Sequence, residues 1–364
     1  MLTKLPGNNN KEDAFSETAS IVLYLLLEAV GRPYRKQSDF CATQAGPLFN
    51  QRVLDMGCGF GTTTGAIVRQ APRSIVAVDN SLLQTSIYEQ VLLREGSIGA
   101  LLAELQTEEI VGRNSATRIL QLLKEQRAEL SGSIFRQHGG RIQVIPDSCL
   151  NLLPEVYGYF DTVVGNNFIH WPIKALRDKL MVAGIQPEEA ARLATIQALK
   201  TLSGVLRPGG TLALLEPMNF VSTGDAEFDS TLTNATAPLS HPVFIGMDEM
   251  TDTLLHTRGL LLPPRSGTDT LFTLPKLCGI FAESGLELQR TQFQEQNYAC
   301  QGREEMVEVA FATLPMRMAR IQLPFAEKLE IARLVRTQAE RELPDSAFER
   351  PMRVVSFVFV GKKI

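Results

Sequence analysis

Short apolar runs alternate with longer amphipathic segments along most of this chain. Seven runs read as strands, most of them short and apolar. In chain order they read QRVLDMG, SIVAVDNS, GRIQVIPDS, YFDTVVGNN, TLALLEP, LELQRTQFQEQ and MRVVSFVFVGKK. Helical spacing of apolar residues predicts helices between them, over 12–31, 62–72, 82–137, 188–207 (closed by Pro208-Gly209-Gly210), 274–285 and 303–343. Strands that alternate with helices predict an α/β fold, with a doubly wound, mainly parallel seven-stranded sheet and helices on both faces.

The connecting segments are less regular. Gly31 and Pro33 end the first helix, so we expect a loop in the polar stretch that follows. We expect residues 218–269 to be irregular, and Pro315 and Pro324 to interrupt the helical segment near 303–343. The segment near 82–137 is longer than one crossover helix needs, which predicts one or two inserted helices.

Composition narrows the class of protein. Apolar residues make up 44% of the 364 residues and charged residues 21%, so the chain can bury a sizeable core. The net charge is −4, whereas nucleic-acid binders usually carry a basic stripe. The five cysteines form no C-x-x-C pair, which is typical of reduced thiols in a cytoplasmic protein and not of a zinc site. The apolar run IVLYLLLEAV is too short to span a membrane.

The stretch VLDMGCGFGTTT at the end of the first strand is the main candidate for a cofactor site. A phosphate-binding P-loop needs a lysine after its last glycine, and here threonines follow Gly61. The dinucleotide pattern G-x-G-x-x-G, counted from Gly57, meets Thr62 at its sixth place. The spacing is instead G-x-G-x-G, with Asp55 two residues before the first glycine.

Five motifs in order over 53–217 resemble the class I S-adenosylmethionine-dependent methyltransferases. VLDMGCGFG is similar to motif I of that family, and VAVDNS, VIPDS, YFDTVVGNNFIHW and LRPGGTLALLEP resemble its later strand ends. The resemblance implies a Rossmann-like core, S-adenosylmethionine as cofactor, and a last strand, MRVVSFVFVGKK, inserted antiparallel. It also implies that Asp79 binds the ribose hydroxyls and that Asp147 caps the adenine amino group.

The cofactor itself explains these residue types. A sulfonium cofactor has no phosphates, so the glycines serve to let the backbone lie against its amino-acid part. Asp55 would supply negative charge near the ammonium and the sulfonium, and a carboxylate at position 79 can accept two hydroxyl hydrogen bonds. The implied cofactor-binding residues are Asp55, Gly57, Cys58, Gly59, Gly61, Asp79, Asn80, Asp147, Ser148 and Asn166.

Catalytic candidates follow the fourth and fifth strands. His170 and Trp171 in NNFIHWP stand where substrates of the resembled family meet the methyl donor, and relatives that methylate carboxyl groups often carry a His-Trp or a Gln-Trp pair there. His170 would act as a general base or hold a substrate oxygen, and Glu216 is a second candidate base. Asn167, His170 and Trp171 are the predicted substrate-binding residues. Methyl transfer from a sulfonium needs no metal, and we expect none.

The resemblance also divides the chain. We expect a helical cap over 1–45, an S-adenosylmethionine-binding core over 46–217 with an insertion near 82–137, and a substrate-side insertion over 218–270. The end of the core then covers 271–364, with a helical insertion near 303–343. These additions are rich in Leu, Met and Phe, which favours a small, partly hydrophobic acceptor.

The predicted function is methyl transfer to such an acceptor, a secondary metabolite or lipid-like molecule, at a carboxylate or hydroxyl oxygen. Transfer to carbon or nitrogen of a natural product stays open, as do a dinucleotide-dependent oxidoreductase, a non-catalytic cofactor-binding module and a homodimeric assembly. Nucleic-acid methylation is disfavoured, because GNNF lacks the N/D-P-P-Y/F pattern of enzymes that methylate amino groups of DNA.

Overall fold

The computed structural model of the protein describes residues 11–364 apart from 95, 133, 138, 263–269 and 320; for 11–16, 132, 134 and 137 it describes the backbone alone. The strands are β1 Arg52–Met56, β2 Ser74–Asp79, β3 Arg141–Pro146, β4 Phe160–Asn166, β5 Leu206–Pro217, β6 Val221–Ser222, β7 Phe272–Thr273, β8 Leu286–Asn297 and β9 Arg353–Lys363. All seven runs predicted to be strands are strands, and β6 and β7 form a separate short pair.

The main sheet has seven strands in the order β3-β2-β1-β4-β5-β9-β8. β1 pairs in parallel with β2 and β4, and β4 pairs in parallel with β5. β9 runs antiparallel to both of its neighbours, β5 and β8. The predicted α/β, mainly parallel sheet is therefore confirmed, and its carboxyl ends, where ligands bind in such folds, carry the motifs found in the sequence.

Helices cover both faces of the sheet. They are α1 Lys11–Gly31, α2 Pro33–Gln44, α3 Thr62–Val68, α4 Leu82–Ile87, α5 Ile98–Glu104, α6 Thr107–Val111, α7 Arg113–Gly132, α8 Ile134–Gln137, α9 Pro154–Tyr157, α10 His170–Val182, α11 Pro187–Gly204, α12 Ala226–Ala235, α13 Ala237–Ser240, α14 Pro242–His256, α15 Leu274–Glu283, α16 Gly302–Arg317 and α17 Phe325–Glu342. A π-helical turn, Tyr88–Leu93, continues α4. Of the helices described here, none is both long and apolar enough to cross a bilayer.

Two apolar cores lie on opposite faces of the sheet, since successive side chains of a strand point to opposite sides. Val53 of β1 belongs to the core under α1, α3 and α16, whereas Leu54 and Met56 belong to the core under α11 and α15. The additions to the sheet are thus concentrated on one face, where α1, α7, α16 and α17 pack on each other.

The polar stretch after Gly31 is helix α2, so the predicted loop is wrong. Arg32 takes a left-handed conformation with φ of 50° between the two helices. The Glu28 carboxylate then accepts the backbone N–H groups of Tyr34 and Arg35, each at 3.0 Å. The first turn of α2 is therefore satisfied by a side chain of the preceding helix, a contact that a local pattern does not reveal.

The predicted irregular stretch 218–269 is also wrong in part, because it contains α12, α13 and α14; residues 263–269 lie outside the described residues. Asp225 starts α12 by accepting the N–H groups of Glu227 and Phe228, each at 3.0 Å. Pro315 lies inside α16, so the break predicted there is wrong: only two residues of helix follow it, and the lost hydrogen bond falls in the last turn. Pro324 precedes α17, as predicted.

Candidate functional site

The glycine turn between β1 and α3 is held against the end of β2. The N–H groups of Gly57 and Cys58 both donate to the carbonyl of Val78, at 2.8 and 3.1 Å. Gly57 has φ of +71°, and a Cβ atom placed on it would lie 2.2 Å from Cβ of Phe168. Gly61 has φ of +82°, and a Cβ atom placed on it would lie 2.7 Å from the ring of Tyr88. Neither position tolerates a side chain without rearrangement.

Asp79 ends β2 and is fixed by backbone groups. Its Oδ2 accepts the N–H of Gly59 at 3.0 Å, and its Oδ1 accepts the N–H of Ser81 at 2.9 Å. Burial raises the pKa of this carboxyl, against the effect of the two hydrogen bonds. Two lone pairs remain on the carboxylate, so it can still accept from a ligand. Asn80 beside it is exposed.

Asp55 ends β1 and is fully buried. Its Oδ2 accepts a hydrogen bond of 2.5 Å from the Thr64 hydroxyl, in the first turn of α3. Its Oδ1 has no hydrogen-bond partner among the described residues. Burial raises the pKa of this carboxyl to about 7, against the hydrogen bond from Thr64, and the nearby Asp79 adds to the rise. A buried acceptor without a donor is costly, which makes Oδ1 the clearest sign of a ligand site.

Asp147 and Ser148 follow β3, and their side chains form hydrogen bonds with residues nearby in the sequence. The Asp147 carboxylate accepts from the Tyr157 hydroxyl, from the side chain of Asn151 at 2.9 Å and from the Ser148 N–H at 2.7 Å. Burial would raise the pKa of Asp147, but these hydrogen bonds outweigh it and lower the pKa. The Ser148 hydroxyl caps the turn at 149–151. One lone pair of the carboxylate is left for a cofactor.

Asn166 ends β4 and Asn167 follows it, beneath helix α2. The amide of Asn166 donates to the Ser38 hydroxyl at 2.9 Å, and the amide of Asn167 donates to Gln37 at 2.5 Å. In each asparagine the side-chain oxygen is buried and has no partner in the described part of the chain. The strand ends therefore hold several unpaired acceptors close to Asp55, since β1 and β4 are neighbours in parallel register.

His170 and Glu216, predicted separately, are in direct contact. Nδ1 of His170 lies 2.5 Å from Oε2 of Glu216, which is fully buried. The other oxygen of Glu216 accepts the backbone N–H groups of Phe168 and Ile169, at 3.2 and 3.0 Å. An ionised carboxylate only accepts hydrogen bonds, so it places the imidazole proton on Nδ1. Within the described residues nothing bonds Nε2, which is left as an acceptor.

Aromatic rings enclose the imidazole. Phe220 stacks on His170 with centroids 4.4 Å apart, and the Trp171 ring lies 4.9 Å away. The Trp171 side chain is 59% exposed although it is the one tryptophan of the chain. This pair of rings gives the mouth of the site an apolar surface beside the histidine.

Sequence reasoning missed Thr64, Gln37, Ser38 and Phe220. Thr64 stands three residues after Gly61, one turn into α3, which is a local signal for a hydroxyl facing the preceding strand end. The α2 residues had no such signal, because they reach β4 through the tertiary fold.

Two cavities lie elsewhere, of about 620 Å³ by α7, α16 and α17 and of about 420 Å³ by α5, α6 and α7, and no predicted site residue lines either. No set of three metal-ligating side chains occurs in the described ranges.

The chain matches no known protein-family profile, and no curated protein is similar to it in sequence. Among solved structures it is similar to an S-adenosylmethionine-dependent methyltransferase of Methanosarcina mazei, with 12% identity over 86% of this chain and 93% of that chain and a TM-score of 0.38. A cyclopropane synthase of Mycobacterium tuberculosis has 12% identity over 90% and 83%, with a TM-score of 0.41. With TM-scores this low, neither likeness identifies the activity of this chain.

Proposed function

We propose that this chain is an S-adenosylmethionine-dependent methyltransferase that acts on a small molecule. The observation that carries the proposal is the acidic, glycine-lined junction of β1 and β2, which holds the carboxyls of Asp55 and Asp79. Burial, hydrogen bonds and, for Asp55, the nearby Asp79 shift their pKa values, and no basic side chain of the described residues contributes. A nucleoside phosphate brings negative charge to such a turn, which these two acids would repel. S-adenosylmethionine brings a sulfonium and an ammonium and has no phosphate.

The sheet supports the same choice over a dinucleotide-dependent oxidoreductase. In dinucleotide-binding folds the strands follow the order 3-2-1-4-5-6. Here β9 runs antiparallel between β5 and β8, at the place where the resembled family inserts its last strand.

The unpaired acceptors fit the cofactor. An ammonium group has three donors, and the free oxygens of Asp55, Asn166 and Asn167 are buried acceptors at adjoining strand ends. The open lone pairs of Asp79 suit the two ribose hydroxyls, and the open lone pair of Asp147 suits the adenine amino group. Gly57, Gly59 and Gly61, with Cys58, Asn80 and Ser148 beside them, would form the wall of the site.

S-adenosylmethionine, when bound, supplies a methyl group that is already activated. Glu216 fixes the ring of His170. Nε2 can then accept the proton of an acceptor hydroxyl or, when it carries a proton itself, donate a hydrogen bond to an acceptor oxygen. Phe220 and Trp171 offer apolar surface to the body of the acceptor. We therefore propose transfer to an oxygen, carboxylate or hydroxyl, of a partly hydrophobic molecule, such as a secondary metabolite, with Asn167 also in contact with it.

The organisation of the chain is part of the proposal. Residues 1–45 would cap the core of 46–217, and the additions near 82–137, 218–270 and 303–343 would shape the acceptor pocket. Five free cysteines, three of them buried, support a reducing, cytoplasmic setting.

Calorimetric titration with S-adenosylmethionine and with S-adenosylhomocysteine tests the cofactor. We expect micromolar binding to the wild type. Asp79→Asn, which keeps the shape of the side chain, should weaken binding about tenfold or more, because charge-assisted hydrogen bonds are lost. Asp178→Ala, a change on the exposed side of α10, is the control and should bind as the wild type does. Absence of binding to both ligands together with tight binding of a nicotinamide dinucleotide would refute the proposal.

A further inference from the structure

The two oxygens of the Asp55 carboxylate differ in their hydrogen bonds. Oδ2 has a short hydrogen bond from the Thr64 hydroxyl, whereas Oδ1 has no partner, although the residue is fully buried. Thr64 is itself fully buried and lies in the first turn of α3, directly after the glycine turn. Among the described residues, Thr64 is thus the one whose hydroxyl donates a hydrogen bond to Asp55.

Every ionisable group of the described residues that faces Asp55 is acidic or neutral. Asp79 approaches from β2 and Cys58 from the glycine turn. Cys41 approaches from α2 and Tyr88 from the π-helical turn, and Arg136 acts on Tyr88, not on Asp55. The described surroundings therefore offer no cation that would keep Asp55 ionised. The hydroxyl of Thr64 is the main protein group that stabilises the charge, and a cationic ligand would be the other.

We propose that Thr64 is a positioning residue, whose hydroxyl occupies Oδ2 of Asp55 and so keeps Oδ1 as the acceptor for the ammonium group of the cofactor. The assignment rests on the proposed function and adds to it a determinant of cofactor affinity. Without the hydroxyl, the buried carboxylate keeps only the weaker hydrogen bond from the Thr64 backbone, so the acid retains its proton more readily instead of binding a cation.

A dependence of cofactor affinity on pH follows from the same contact. The carboxyl of Asp55 titrates at a pKa of about 7, so the ionised acceptor becomes more abundant as the pH rises through that range. Affinity should increase from pH 5.5 to 7.5 and level off above. Removal of the Thr64 hydroxyl removes a hydrogen bond that lowers this pKa, so the profile should move to higher pH.

The experiment measures the Kd of S-adenosylhomocysteine between pH 5.5 and 7.5, below the range in which an α-amino group loses its proton. Thr64→Val keeps the branched shape and removes the hydroxyl. We expect binding about tenfold weaker at pH 7, and the affinity of the variant should still rise steeply at pH 7.5, where that of the wild type begins to level off. Thr64→Ser should restore both values. Thr195→Val is the matched control and should keep the wild-type profile, because Thr195 of α11 is fully buried and, among the described residues, its hydroxyl bonds to its own helix alone.

The outcomes separate this inference from the function on which it rests. Wild-type binding with an unchanged Kd and profile in Thr64→Val overturns the positioning role and leaves the methyltransferase proposal intact. No wild-type binding at any pH overturns both. Should Thr64→Val fail to fold, Asp55→Asn decides: it should bind weakly and lose the rise in affinity that is centred near pH 7, and a persisting rise centred there would overturn the inference.

Discussion

Substitution of Glu216 by glutamine separates the chemistry of His170 from the stability of the fold. Glu216 accepts three hydrogen bonds, two from backbone N–H groups and one from the imidazole. Glutamine has nearly the same shape, and its carbonyl oxygen can keep both backbone donors. Its amide then faces Nδ1 and can only donate. The imidazole proton is therefore expected to move from Nδ1 to Nε2 in Glu216→Gln.

The two obvious variants should differ strongly in stability. Glu216→Ala leaves two buried backbone donors without an acceptor, at about 1–3 kcal/mol each, and adds a cavity. The sum of about 2–6 kcal/mol is comparable with the whole stability of many proteins. Glu216→Gln keeps an acceptor for both backbone donors and loses only the charged character of the hydrogen bonds, about 1–2 kcal/mol, so its Tm should fall by no more than a few degrees.

Nitrogen NMR of histidine-labelled protein reads the tautomer directly, without knowledge of the acceptor. We expect the Nδ1–H form of His170 in the wild type and the Nε2–H form in Glu216→Gln, with the Kd of S-adenosylhomocysteine unchanged. Once an acceptor is in hand, Glu216→Gln should lower kcat about a hundredfold or more if Nε2 takes a proton from it. A wild-type ring already protonated at Nε2 alone would refute the reasoning.

Two further predictions concern the fold. Gly57→Ala should destabilise the protein by several kcal/mol and abolish cofactor binding, because the added Cβ would lie 2.2 Å from Phe168. Gly46→Ala, at a similar positive φ with open space around it, should cost only the backbone strain of about 1–2 kcal/mol. Equal Tm values for the two variants would contradict this prediction. Burial raises the pKa of Glu28 to about 8 in the folded chain. Between about pH 4.5 and 8 the folded chain therefore keeps this proton, whereas the unfolded chain has lost it. The free energy of unfolding should fall as the pH rises through that window. Urea titrations at pH 5, 6.5 and 8 should show a shallower fall in Glu28→Gln, and an identical slope in the two proteins would count against the buried acid.

The strand ends could be predicted from sequence because their signals are local. The end of β1, the glycine turn and Asp79 lie within thirty residues and follow the period of a strand and then of a helix. His170 and Glu216 were each placed at a strand end, and parallel neighbours bring such ends together, yet their contact across 46 residues needed the fold to be seen.

Much of what was not predicted depends on partners distant in sequence or is hidden by polarity, although α14 carries a local apolar period, with Val243, Met247 and Leu255 buried. Helix α2 needs Glu28 of the previous helix as its cap. Helix α12 is rich in Thr, Ser and Asp, so no apolar period marks it. The occupation of Asp147 by Tyr157 is likewise a tertiary contact between two side chains that each look available in the sequence.

The position of β9 has a consequence for how the molecule is made. β8 joins the sheet only through β9, and β9 lies between strands formed earlier in the chain. During synthesis the edge of β5 therefore stays open until residues 353–363 have emerged, and β8 has no strand to pair with until then. Such late, long-range pairing slows folding and leaves apolar strand edges exposed in the meantime. A nascent chain of this protein should depend on chaperones for longer than its compact first five strands would suggest.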